Sequence, residues 1–110
     1  MNKSKLHLKS KPTLRDFQSY IAKMLKERGF DKETIPEVFM MLLEECGELA
    51  RSARKTQKHI KAYKGKKRSE ISFEFADVFI YLLQLCNYFD VDLEKAFRAK
   101  EEINKKRIWK

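Results

Sequence analysis

At 110 residues the chain is about one domain long, enough to bury roughly two thirds of the surface its unfolded form exposes, so a core needs no disulfide staples. An apolar fraction of 43% with 37% charged residues fits a soluble globular protein, and three glycines and two prolines leave little turn material for many short strands; an all-α fold is expected. The formal net charge of +9 points to polyanionic partners, while the longest apolar runs, 38–43 and 78–83, are six residues each against the ~20 that span a bilayer, which excludes a membrane helix.

In chain order, residues 1–12 form a basic arm carrying Lys3, Lys5, Lys9 and Lys11. It has the charge of a signal peptide without the apolar segment, and Cys46 and Cys86 both lie within helical apolar patterns; a cytoplasmic protein with reduced thiols is expected. Residues 13–110 read as one all-α domain of four helices, with no internal repeat.

Thr13 with Asp16 three residues later resembles a capping box, Leu14, Phe17, Ile21, Met24 and Leu25 follow at helical spacing, and Gly29 is a natural stop, so the first helix runs over 14–28. Thr34 with Glu37 is a second capping box, with Pro36 in the first turn where its missing N–H costs nothing; the second helix runs to about Lys55. The stretch 56–68 breaks the periodicity and reads as a loop, its segment 58–68 holding six Lys or Arg and no acid. Ser69 is placed to cap a third helix through Phe89, apolar almost all round and therefore expected to be buried on every side. Asp90 or Asp92 caps a shorter fourth helix with Leu93, Ala96, Phe97 and Ile103 inward.

The second helix contains E-E-C-G-E at 44–48 inside its most apolar stretch. Val38, Leu42, Glu45, Leu49 and Ser52 fall at 4-3-4-3 spacing, which sets Glu45 within an apolar stripe; Glu48 lies one turn on. On the third helix Glu74 and Asp77 share a face that continues through Tyr81, Gln84 and Tyr88, so both helices aim a carboxylate pair inward. Four such acids repel one another unless protonated, paired or ligating metal, and Arg51 is the nearest cation in sequence, so metal is favoured. An all-oxygen donor set suits Mg²⁺, with Mn²⁺ as the alternative, and the absence of Glu-x-x-His argues against a di-iron site. Gly47, weakening at mid-helix, suggests close approach of a neighbouring backbone or a ligand, with a harmless small residue as the alternative.

With E-E-x-x-E followed, after 25 intervening residues, by E-x-x-D at 74–77, the chain resembles the MazG-type all-α nucleoside triphosphate pyrophosphohydrolases, over about residues 13–108. The tail K-E-E-I-N-K-K-R at 100–107 is similar to the family's Lys, Asn and Arg cluster. The resemblance implies Mg²⁺-dependent hydrolysis of a nucleoside triphosphate between its α and β phosphates, giving a monophosphate and pyrophosphate. It assigns Glu45, Glu48, Glu74 and Asp77 to metal, Glu44 to the attacking water, and Lys100, Asn104 and Arg107 to the phosphates. Phe17, Gln18 and Tyr81 are candidates for base contacts, although aromatic residues at this spacing are more often core. It further implies a MazG-like bundle completed as a homodimer or homotetramer, which agrees with the apolar circumference of the third helix. The competing readings are a basic helical nucleic-acid-binding module and a protein-association module without catalysis; neither explains the interior acids.

Overall fold

A computed structural model describes residues 4–58 and 66–109, the side chains of 56–58 and 66–70 excepted. It contains four helices, α1 (Leu14–Arg28), α2 (Ile35–Lys58), α3 (Lys66–Tyr88) and α4 (Leu93–Lys105), and no strand among the described residues, so the all-α class holds. None of these helices is long and apolar enough to cross a membrane. The chain divides into two compact units, one of Met1–Lys32 with Cys86–Lys110 and one of Glu33–Leu85.

In the first unit α1 begins with the expected reciprocal cap. Thr13 N–H donates to Asp16 Oδ2 at 2.8 Å and Asp16 N–H to Thr13 Oγ1 at 3.1 Å, satisfying two of the free donors at a helix start. Gly29, with φ of 79°, ends the helix in the left-handed conformation, and Phe30 N–H reaches back to Leu25 O at 2.8 Å. Ile21, Met24 and Leu25 are buried on one face, and α1 packs against α4.

The chain leaves α3 through Asp90, whose φ of 56° is left-handed, and Asp92 caps α4 by accepting Lys95 N–H at 3.0 Å. That junction is tied to α1 by Gln18, which is 4% exposed. Its Nε2 donates to Asn87 Oδ1 at 2.9 Å and Val91 O at 2.8 Å, and its Oε1 accepts Leu93 N–H at 3.0 Å. Asn87 Nδ2 returns a bond to Gln18 O at 3.0 Å. A buried polar side chain used this fully locks the geometry of its neighbours.

In the second unit Thr34 and Glu37 form the other capping box, at 2.8 and 3.3 Å, and Val38 is fully buried. On α3 Leu83, Gln84 and Leu85 are buried, with Gln84 Nε2 donating to Glu33 Oε1 at 3.2 Å.

Several boundaries and faces differ from expectation. α2 continues through Lys58 and α3 begins at Lys66, so Ser69 lies inside α3 rather than capping it; the segment Lys66-Lys67-Arg68 is made of good helix formers that extend the helix backward. The rest of the expected basic loop, 59–65, lies outside the described residues. α3 is not buried on every side: Phe73 is 68% and Phe75 59% exposed in the single chain. Ala96, Phe97 and Ile103 of α4 are likewise exposed, and only Leu93 of the expected inner face is half-buried. The 4-3 spacing marks an apolar stripe correctly, but one chain does not supply the surface that covers it.

Replacing Gln18 by alanine strands Asn87 Oδ1, Val91 O and Leu93 N–H at a buried junction. It is expected to cost about 3 kcal/mol in a urea titration, against less than about 0.5 kcal/mol for Ser19→Ala on the exposed face of the same helix.

Candidate metal centre

The site lies within the second unit, on α2 and α3. Position 45 falls on the half-buried side of α2, between Leu42 and Leu49, and Glu74 and Asp77 stand one turn apart on α3. Carboxylate oxygens of Glu45, Glu74 and Asp77 lie within 4.8 Å of one another. Glu44 and Glu48 are exposed and stand outside that group, so α2 turns one acid of its motif into the cluster rather than a pair.

Electrostatics mark the same place. The Glu45 carboxyl is pushed above its ordinary range, first by partial burial and then by the charges of Asp77, Glu74, Glu44 and Glu48. Every charged group that shifts it is an acid. Tyr81, half-buried one turn along α3 from Asp77, has its hydroxyl pushed up by burial and then by Glu33, Glu45, Asp77 and Glu44, so it stays protonated beside the carboxylates and can act as a donor.

An oxygen-only donor set drawn from two helices, with its central carboxyl destabilised as an anion, fits a hard divalent cation. Glu45, Glu74 and Asp77 are placed to hold it, and Glu48 and Glu44 add negative charge at longer range. Gly47 shows no close neighbour among the described residues: a Cβ built there meets nothing within 4 Å, so no neighbouring backbone of the described chain approaches it.

Glu33 is absent from the expected constellation, yet its charge acts on Tyr81 together with Glu45, Asp77 and Glu44. It sits just before the Thr34 cap, accepts from Gln84, and with Glu37, Met40, Met41 and Glu44 lines a cleft of about 290 Å³. Its position ahead of a helix start hides it from any search for helical spacing.

The remaining expected site residues lie in the first unit. Lys100 and Arg107 are exposed, and Arg107 stacks on Trp109 with its guanidinium carbon 4.4 Å from the ring centroid. Trp109 Nε1 donates to Asn104 O at 3.3 Å, and Asn104 Oδ1 is buried without a hydrogen-bond partner. Phe17 is half-buried, and the amide of Gln18 is engaged in the junction described above.

These features define an all-α protein with an acidic, oxygen-lined cluster across two helices whose carboxylates are spaced to hold a metal ion. The model of the MazG nucleotide pyrophosphohydrolase domain matches residues 33–108, and the chain belongs to that family. Among curated proteins it is similar to dCTP pyrophosphatase 1 of Mus musculus, with 32% identity over 100 residues, covering 87% of this chain and 59% of that protein. It is also similar to the phosphoribosyl-ATP pyrophosphatase of Geobacter metallireducens, with 35% identity over 79 residues, covering 72% of this chain and 58% of that protein. The chain therefore spans less than two thirds of the length of these relatives.

Glu45→Gln or Asp77→Asn removes one of the repelling charges. Mg²⁺ is expected to raise the Tm of the wild type, and either substitution to erase that rise while leaving the metal-free protein as stable as before or more so, since a ligand stabilises only the state that binds it. Differential scanning fluorimetry checks this. Destabilisation of about 3 kcal/mol with the Mg²⁺ shift intact would instead make these carboxylates structural partners.

Proposed function

We propose that the protein is a Mg²⁺-dependent nucleoside triphosphate pyrophosphohydrolase, cleaving between the α and β phosphates to release a nucleoside monophosphate and pyrophosphate. The observation that carries this reading is the convergence of Glu45, Glu74 and Asp77 in a chain of the MazG family. Relatives named as dCTP and phosphoribosyl-ATP pyrophosphatases support a nucleotide as the substrate class.

In this reading residues 13–110 are the catalytic domain and 1–12 a basic arm. Glu45, Glu74 and Asp77, with Glu48, hold the cation; Mn²⁺ is the alternative occupant. When bound, the ion supplies charge neutralisation at phosphate oxygens, the main requirement of phosphoryl chemistry. Glu44, exposed beside the cluster, orients or deprotonates the attacking water, a task suited to a carboxylate that is not itself committed to the metal. Lys100, Asn104 and Arg107 hold phosphate oxygens through their N–H groups, Asn104 by its Nδ2. Tyr81 is the base-contact candidate best supported by its placement beside the acids; Phe17 and Gln18 are the others.

A panel of ribo- and deoxynucleoside triphosphates with Mg²⁺, read for pyrophosphate and monophosphate together, tests the reading. Pyrophosphate release is expected, and Glu44→Gln is expected to lower kcat about 10²-fold or more while leaving the Mg²⁺ shift in Tm in place. Release of orthophosphate, or no turnover on any member, would overturn it.

The active form is proposed to be at least a homodimer, with homotetramer as the alternative, and α3 in or near the interface, because Phe73 and Phe75 stand mostly exposed in the single chain. Sedimentation velocity at assay concentration is expected to show a dimer or larger; a fully active monomer would exclude it.

A further inference from the structure

The N-terminal arm is placed against α1 in a definite way. Leu6 and Leu8 are half-buried, whereas Lys5, His7 and Lys9 are exposed, the alternation of an extended chain with one face docked. Lys9 Nζ lies 3.2 Å from Asp16 Oδ2, on the carboxylate that caps α1, so the arm is pinned to the helix start. Between arm and helix is a cleft of about 280 Å³, lined among others by Lys5, His7, Lys9, Asp16, Tyr20 and Lys23.

The charge of this cleft is one-sided. Asp16 faces three lysines and is already engaged by the Thr13 N–H and by Lys9. Lys5, His7 and Lys9 of the arm and Tyr20 and Lys23 of α1 line the cleft together, so its basic side chains gather beside an aromatic ring. A row of cations beside an aromatic side chain is the combination that holds a nucleic-acid strand by its phosphates with a base against a ring.

We propose that the groove between residues 5–9 and α1 is a binding site for the phosphodiester backbone of single-stranded nucleic acid, separate from the metal centre and sequence-tolerant, because lysines read charge and not base edges. It is a property of the arm beyond nucleotide hydrolysis, and it gives the concentrated basic charge at the N-terminus a ligand.

Fluorescence anisotropy of a labelled oligodeoxythymidine on the full chain tests the site. Replacing Lys5, Lys9 and Lys23 together by alanine is expected to weaken binding about tenfold or more at low salt and to flatten the plot of log K against log salt by about 2, the value for three lost phosphate contacts. The charge-matched control Lys26→Ala, Lys32→Ala and Lys95→Ala, on exposed residues outside the groove, is expected to lose less than about threefold. Lys23→Glu alone, remote from the Thr13 cap, is expected to weaken binding severalfold and keeps the test open if the triple variant folds poorly. Equal loss in the two triple variants would reduce the effect to net charge and overturn the proposal. So would absence of binding by the wild type at low salt, competition by polyglutamate as effective as by unlabelled oligonucleotide, or displacement by a mononucleotide at comparable phosphate concentration.

Discussion

Repulsion among carboxylates on α2 and α3 is the constraint around which the second unit is organised. Glu45 has four acidic neighbours acting on it and is partly removed from water, so each additional negative charge there raises the free energy of the folded, metal-free chain. That cost is tolerable only because the surrounding helices are secured independently: Thr34 and Glu37 cap α2 reciprocally, Val38 is fully buried one turn on, and Leu83 to Leu85 anchor α3. The same crowding that opposes folding favours a divalent cation, because neutralising the cluster returns the free energy that its assembly consumed.

Charge at the scale of the whole chain runs the other way. The protein carries +9 formally, yet its most concentrated acidity lies where the proposed reaction takes place. Under the proposed function a triphosphate would be drawn to the protein by the long-range field and repelled at short range by Glu45, Glu74 and Asp77 unless a cation is present. Under the proposed function, nucleotide and cation are therefore thermodynamically coupled ligands: each raises the affinity for the other by the same factor. A hydrolase built this way discriminates against metal-free nucleotide without any residue dedicated to that task.

What could be read from sequence was what is local. The capping boxes at 13–16 and 34–37 and the stop at Gly29 depend on residues three or four apart, and all three occur as their spacing requires. The convergence of Glu45 with Glu74 and Asp77 was legible because one acid interrupts an apolar stripe and the other two share a helix face, a contradiction that demands a ligand. The Gln18 junction was not, since its bonds to Asn87, Val91 and Leu93 join positions 69 to 75 residues apart and a glutamine in an amphipathic helix carries no mark of its future partners. Glu33 escaped because it precedes its helix. Ser69 misled for a related reason: a good cap is also a tolerable helix interior when the residues before it, Lys66 to Arg68, favour continuing the helix.

The exposed aromatic residues of α3 and α4 show a further separation between pattern and structure. Hydrophobic periodicity reports which face of a helix must leave water, and says nothing about whether the covering surface belongs to the same chain. Phe97 stands mostly in solvent although its spacing marks it as inward-facing, and so do Phe73 and Phe75 on a helix expected to be buried on every side. At about 25 cal/mol per Å² of apolar area buried, covering even two such rings contributes several kcal/mol, comparable with a substantial part of the net stability of a domain this size. For Phe73 and Phe75, which flank Glu74 in sequence, that contribution would also hold one wall of the acidic cluster in place. Association through α3 would then do two things at once: bury apolar side chains that a single chain leaves open, and stiffen the helix whose Glu74 and Asp77 act on the Glu45 carboxyl.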